Sequence, residues 1–174
     1  MDRNTYTEVV NSITNNDLEK FKDIIKREDM IKELNAGGSI LRMKMLTFAP
    51  GDFLYACLPH LNNSSIQLLL EKHTRLNNKE VVEKLLSYGK PSKTSNCLIA
   101  ACINKDVDMV KLLIPVSNVK YKNSKALLVA ISHESDEIVK ALLPHSNVKY
   151  GCSYPMQRAI FLNNKKVIDL LWDK

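Results

Sequence analysis

The sequence predicts an all-α fold, an α-solenoid of about six stacked helix-turn-helix units, and three observations carry that prediction. A heptapeptide recurs almost unchanged: Pro115-Val-Ser-Asn-Val-Lys-Tyr121 and Pro144-His-Ser-Asn-Val-Lys-Tyr150 share six of seven residues at an offset of 29. The same offset links Ala101, Ala130 and Ala159, then Val110, Val139 and Ile168, then Leu113, Leu142 and Leu171. Within each copy the apolar residues recur at i, i+3, i+4, the period of a helix rather than the alternation of a strand. One helix pair cannot bury its apolar face alone, so a fixed period of this length implies that neighbouring pairs stack into a continuous core.

Taken in chain order, the first unit contains Asp17-Leu-Glu-Lys-Phe-Lys-Asp-Ile-Ile25, which follows the pattern of Asp106-Val-Asp-Met-Val-Lys-Leu-Leu-Ile114. Its second helix is the more polar (Glu19, Lys20, Lys22, Asp23), as suits an end cap. The next copies drift: Leu58-Pro-His-Leu-Asn62 echoes Leu143-Pro-His-Ser-Asn147, and Leu76-Asn-Asn-Lys79 echoes Leu162-Asn-Asn-Lys165. Six periods of 29 fill the 174 residues, giving one domain, 1–174, with units at roughly 1–29, 30–58, 59–86, 87–114, 115–143 and 144–174. The two helices of a unit, A and B, are exemplified by Lys125-Ala-Leu-Leu-Val-Ala-Ile131 and Glu137-Ile-Val-Lys-Ala-Leu-Leu143. Serine precedes helix A at Ser39, Ser95, Ser124 and Ser153, and Asp17, Asn78, Asp106, Ser135 and Asn164 stand in one column before helix B. These are N-cap residue types, whose side-chain oxygens accept from first-turn amides that have no partner within the helix. Proline follows helix B at Pro59, Pro115 and Pro144, where its missing amide is expected to end the helix. Trp172 and two charged residues close the last one.

Ala130 is followed eight residues later by Ile138-Val-Lys-Ala-Leu-Leu143; Tyr154-Pro-Met-Gln-Arg-Ala159 opens the last unit; Leu85-Leu-Ser-Tyr-Gly89 ends a helix B. In these respects the chain resembles the ankyrin repeat, with its helix-A alanine and I-V-x-L-L core, its T-P-L-H-x-A, and its leucine pair before glycine. The family period is 33, and glycine-histidine usually separates its helices where this chain has Lys105-Asp106 and Glu134-Ser135. The A-to-B spacing is the family's, so the four missing residues fall between helix B and the next helix A and shorten the projecting finger. The cadence Leu112-Leu-Ile-Pro-Val-Ser-Asn-Val-Lys120 is also similar to short ankyrin-like repeats of large DNA viruses and bacteriophages. The resemblance implies a scaffold that binds a macromolecule, with contacts at the finger, the start of helix A and its concave C-terminal end. Carried onto this chain, those positions include Lys93 and Ser95, Lys122 and Ser124, Ser153, and Asn104 and His133 beyond the repeat alanine. Phe161 takes the equivalent place in the last unit, either as a contact anchor or as a cap packing inward.

Charge distinguishes the two halves. Residues 1–86 hold twelve basic and twelve acidic side chains, whereas 87–174 hold thirteen and seven, so the whole excess of +6 lies in the second half. The connectors 87–95, 115–125 and 144–153 carry Lys90, Lys93, Lys120, Lys122, Lys125 and Lys149 and no acid. Stacking sets equivalent connectors side by side, so these lysines are expected to form a strip with Tyr121 and Tyr150 in line. Such a strip attracts an acidic protein surface or a phosphate backbone. Equally, loop lysines keep an array soluble, and the tyrosine rings can pack over the next repeat.

Other chemistries are weakly represented. The polar start and short apolar runs predict neither a signal peptide nor a membrane span. Cys57, Cys97, Cys102 and Cys152 form no CxxC, and the first three fall in apolar helical runs, reading as small buried thiols of a reducing compartment. Gly37-Gly38-Ser39 and Gly89-Lys90-Pro91-Ser92 lack the spacing of a phosphate loop. His60 and His145 stand about 85 residues apart in one column and cannot share a metal ion; Asp106 and Asp108, at i and i+2, point apart. The sequence therefore predicts no catalytic residue, metal, cofactor or small-molecule ligand. The leading expectation is a protein-interaction module acting through repeats 4 to 6 on a partner with an acidic surface: a cytoplasmic factor, in the host cytoplasm if viral, that blocks or sequesters a host protein. Nucleic-acid binding through the lysine strip comes second, set back by the lack of arginine among the connector cations. A passive scaffold is the third reading.

Overall fold

The computed structural model describes residues 3–37, 51–89, 91 and 94–172. Among these residues the fold is all-α, with no strand: α1 (Arg3–Thr14), α2 (Leu18–Ile25), α3 (Glu28–Asn35), α4 (Gly51–Cys57), α5 (Asn63–Arg75), α6 (Lys79–Tyr88), α7 (Thr94–Ile103), α8 (Val107–Leu113), α9 (Tyr121–Ser132), α10 (Asp136–Leu142), α11 (Tyr150–Phe161) and α12 (Lys165–Trp172). Pairs A and B follow in series, as an ankyrin-type solenoid requires.

The turn that folds helix B back on helix A is one motif used five times among the described residues. Asn16, Asn77, Lys105, Glu134 and Asn163 all adopt the left-handed conformation, with φ between 52° and 58°. In each case the left-handed residue donates its amide to the carbonyl three residues back, and the next residue donates five residues back, as in Glu134 to Ile131 (3.0 Å) and Ser135 to Ala130 (3.0 Å). This is the Schellman termination, which satisfies two of the orphan carbonyls of helix A. Glycine and asparagine are the residues that adopt it most readily; Lys105 and Glu134 do so against a steric penalty.

Helix B then starts from the expected cap column. The carboxylates of Asp17 and Asp106 accept from the amides of Lys20 (3.0 Å) and Met109 (2.9 Å), and Asn164 accepts from Val167 (3.2 Å). Ser135 departs from the pattern: its hydroxyl is buried without a hydrogen-bond partner and makes no cap bond.

One further expectation is met and refined, and another needs correction. Pro59, Pro115 and Pro144 end the α-helical part of helix B as expected, which stops at Cys57, Leu113 and Leu142. They sit in short 3₁₀ turns, Leu58–His60, Ile114–Val116 and Leu143–His145, that extend helix B by one tighter turn. Proline is tolerated there because the first amides of a new turn have no acceptor in any case. Ser95 and Ser124, by contrast, do not cap helix A. Ser95 lies inside α7, and Ser124 closes a left-handed stretch of α9 formed with Lys122 and Asn123 (φ 47° to 59°). Both hydroxyls reach instead to the following connector: Ser95 accepts from the Asn118 amide (3.1 Å) and Ser124 from the Asn147 amide (2.8 Å). Ser39 lies outside the described residues.

The chain packs as two compact units, Met1–Leu70 with Glu80–Pro91, and Glu71–Lys79 with Ser92–Lys174. In the first, α2 packs on α1, α3 and α4, and Phe21 meets Phe53 edge to face at 4.9 Å. In the second, the helices form two rows: α7, α9 and α11 pack successively, and so do α8, α10 and α12 behind them, each A on its own B. The repeat columns fill the space between the rows. Ala101, Ala130 and Ala159 are fully buried, as are Met109, Ile138 and Val167, since only a small side chain lets helix A approach its neighbours this closely.

Candidate protein-interaction surface

The connectors of repeats 5 and 6 have the same construction. After the 3₁₀ turn the chain extends at Ser117 and Ser146, turns through residues 118–120 and 147–149, and enters α9 and α11 at Tyr121 and Tyr150. The repeated heptapeptide is this connector. Lys120 and Lys149 stand at the N-cap positions of α9 and α11 and are both exposed. Lys122 and Lys125 are exposed beside them, with the Lys122 ammonium 5.3 Å from the centroid of the half-buried Tyr121 ring. Positive charge is therefore concentrated at helix N-termini, whose own dipoles add to it.

Other sequence-predicted positions divide by what their side chains do. Ser95 is tied to Asn118 through both its donor and its acceptor, and Ser124 is fully buried on the Asn147 amide; these two serines bind the array rather than a partner. The reason is the short connector, which draws the next repeat's backbone over the head of helix A. Asn104 is exposed yet donates its amide group to the carbonyls of Thr74 (3.1 Å) and Arg75 (3.3 Å), bridging back one repeat. His133 is exposed at the end of α9, its backbone amide bonded to the Val129 carbonyl at 2.9 Å. Phe161 is 78% exposed with the Arg158 guanidinium 5.4 Å from its ring centroid, so it does not pack inward. Lys90 and Lys93 lie outside the described residues, as do the side chains of Tyr150 and Ser153.

By the 29-residue offset the counterpart of Asn104 and His133 is Leu162, and Phe161 shares its column with Ile103 (51% exposed), an exposed apolar side chain that sequence reasoning passed over together with Tyr154 (52%), seven residues before Phe161 on α11. Reading the 29-residue columns for exposure as well as identity was the available signal. Together, Ile103, Tyr154 and Phe161 give the A helices exposed apolar contact area, Tyr154 within α11 and the other two at the ends away from the basic connectors.

Inside the array the chemistry is quiet. Burial pushes the Cys57 and Cys102 thiols up to about 12 and Cys97 up to about 11, so they are protonated and poorly nucleophilic at neutral pH. His73 occupies the column of the repeat alanine; it is 8% exposed, neither ring nitrogen has a hydrogen-bond partner, and burial followed by the adjacent Lys72 charge lowers its pKa. Among the described residues no group of three His, Cys, Asp or Glu side chains converges, and no helix is long and apolar enough to cross a membrane. The depressions lined by Tyr55, Glu80, Lys84 and Ser87, and by Glu134, Asp136 and Asn164, are open; in the first the Tyr55 hydroxyl donates to the Glu80 carboxylate (3.1 Å) and the Ser87 hydroxyl to the Lys84 carbonyl (2.7 Å).

Compared with known families, residues 53–154 match a model of ankyrin repeats in three copies. This chain belongs to the ankyrin-repeat family. No curated protein and no solved structure matches it significantly. Ankyrin repeats are generally protein–protein interaction modules and typically non-enzymatic scaffolds, and the matched span includes the serine-tethered connector of repeat 5 together with that of repeat 6. Within the ankyrin framework, the left-handed column takes the place of the family's inter-helix glycine, and the short connectors, which hold no strand among the described residues, take the place of the finger hairpin.

Proposed function

We propose that this ankyrin array captures a protein with an acidic surface through the connectors and A-helix ends of repeats 4 to 6. The observation that carries the reading is the way the charges are used. Charges on helix B pair from repeat to repeat: Lys79 with Asp108 (3.4 Å), Lys111 with Glu137 (3.7 Å), Lys166 with Asp136 (3.7 Å). The connector cations Lys120, Lys122, Lys125 and Lys149 have no ion-pair partner among the described residues and no acid in their own segments. A basic row at the start of the A helices, with Tyr154 exposed on α11 and Ile103 and Phe161 exposed at the far ends of α7 and α11, has the composition of an interface, in which apolar contact area is joined to charge that steers the partner in. The cytoplasm, and a viral factor that occupies a host protein, are the setting we propose. Its support is the short viral-type cadence at Leu112–Lys120 and the buried, reduced thiols.

Affinity capture from cell lysate, with and without nuclease, tests this. A stoichiometric protein that survives nuclease and is lost with Lys120→Glu, Lys122→Glu and Lys149→Glu combined, at unchanged helicity, is the expected result. Capture that is unaffected by the charge reversals refutes the basic row as the contact. Loss on nuclease treatment, with binding that falls steeply as salt rises, would assign the row to nucleic acid instead.

A further inference from the structure

Each A helix of repeats 4 to 6 buries one side in the array, the side that carries Ala101, Ala130 and Ala159. The opposite side follows the helical spacing i, i+3, i+4, i+7, and the 29-residue offset sets it in register from repeat to repeat. Its two middle rows are apolar on α7 and α9: Ile99 with Leu128, and Ala100 with Val129, all half-buried. An exposed row stands on either side of them. Lys125 and Tyr154 belong to the one nearer the connectors, Ile103 and Phe161 to the one at the helix ends. Seven residues separate these outer rows along a helix, a rise of about 10 Å, which is the width of one α-helix with its side chains. The middle rows thus form the floor of a shallow apolar trough that runs across the helices. That floor lies on α7 and α9, each of which has a further repeat packed after it.

Charge is segregated along the same line. None of the seven acids in residues 87–174 falls in α7, α9 or α11, whose charged residues are Lys122, Lys125 and Arg158. Arg158 donates from Nε to the Ser132 hydroxyl (3.0 Å) and stands over the Phe161 ring, so its guanidinium is held at the edge of the trough. Neither Lys125 nor Arg158 has an ion-pair partner among the described residues. An apolar floor is therefore bordered by cations that nothing within the described residues neutralises.

We infer that the element this trough accepts is a single acidic amphipathic α-helix of a partner protein, laid across α7, α9 and α11. Its apolar stripe rests on the rows of Ile99 and Leu128 and of Ala100 and Val129, and its carboxylates face Lys125, Arg158 and the connector lysines. The inference rests on the capture reading above and names the element captured. Acid is selected because every charge on these three helices is positive. A helix is selected over an extended strand because the A helices bond their backbones internally and offer no sheet edge. An extended chain on an apolar floor would leave its own amides and carbonyls unsatisfied, whereas a helix satisfies them itself. The width of the trough selects a helix over a bilayer, which has no ridge to fill it. With neighbouring helix axes about 10 Å apart, crossing three of them spans roughly 20 Å, or about 14 helical residues. A contact of that extent is at the small end of specific interfaces and implies micromolar affinity.

Fluorescence anisotropy of a labelled synthetic peptide titrated with the full chain is the test. The probe is about five helical turns long, with leucine at i, i+3, i+4 and i+7 and glutamate elsewhere; a scrambled peptide of the same composition is the control. The amphipathic peptide is expected to bind in the micromolar range and to gain helicity in difference circular dichroism, and the scrambled one to bind about tenfold more weakly. Leu128→Gln and Ile103→Gln should each weaken binding about tenfold, as should Lys125→Glu. Ile103 is already half solvated, so its substitution leaves the chain's own helicity unchanged. Equal binding of the scrambled peptide, a bound peptide that stays non-helical, or indifference to both glutamine variants overturns the inference. So does a single-stranded oligonucleotide or a phosphatidylserine vesicle that binds as tightly and depends on Ile103 in the same way. The capture reading is judged apart from this. If the connector reversals abolish capture from lysate but the peptide does not bind, the helix is overturned and the capture surface stands; if the peptide binds but capture ignores the reversals, the connectors fail and the trough stands.

Discussion

Ile131 and Ile160 offer a controlled comparison: the same side chain, in the same repeat column, on successive A helices, fully buried in one case and 59% exposed in the other. Truncation to alanine removes three carbons, each contributing about 0.8 kcal/mol when buried. At Ile131 the full transfer loss of roughly 2.4 kcal/mol is joined by a cavity penalty between α9 and α11, for about 3 kcal/mol in all. At Ile160 about two-fifths of the transfer term applies, no enclosed cavity forms, and alanine's better helix propensity offsets some tenths of a kcal/mol, leaving about 0.5 kcal/mol. Urea unfolding followed by far-ultraviolet circular dichroism measures both. Equal penalties would refute the reasoning, for they would mean that the chain itself covers Ile160.

Three further outcomes follow from the turns and the buried groups. Lys105→Gly and Glu134→Gly should each raise stability by about 0.5–1 kcal/mol, since glycine relieves a left-handed residue with φ of 58° or 54°; a lower urea midpoint would contradict the turn geometry. In the cap column, Asp106→Ala should cost about 1 kcal/mol and Ser135→Ala close to nothing, because only the first makes the cap bond, and equal losses would deny the distinction. His73 has a folded-state pKa below its usual 6.5, so between those values the unfolded chain holds more protons and stability falls as the pH is lowered. Its stabilising contribution is complete above about pH 6.5 and is lost on acidification through the lowered folded pKa. Urea midpoints at pH 7.5, 6 and 5 should show that decline, and His73→Ala should flatten it; an unchanged slope would place the titration elsewhere.

Much of this architecture is written locally, and local features are what a sequence read alone can show. The 29-residue spacing, the helical period of the apolar residues and the acids before helix B each depend on a few neighbouring residues, so the order of A and B helices, the buried cysteines and the ankyrin kinship were all legible. Even the shortened connector followed from counting residues between Ala130 and Ile138 against the family period. The hydroxyls were misread for a physical reason. A serine before a helix has two competing acceptors and donors, the local amide and whatever the next repeat brings over it. Ser95 and Ser124 bond to Asn118 and Asn147, 23 residues on, which no local pattern encodes.

Exposure was beyond the reach of the pattern in the same way. Ile131 and Ile160 are indistinguishable in sequence, and so are the roles of Leu143 and Trp172 as members of one column. Repetition specifies which faces of α11 and α12 are made for stacking, because each unit inherits its predecessor's periodicity. Whether such a face is covered depends on what lies against it in space, and that separates the buried Ile131 from the exposed Ile160.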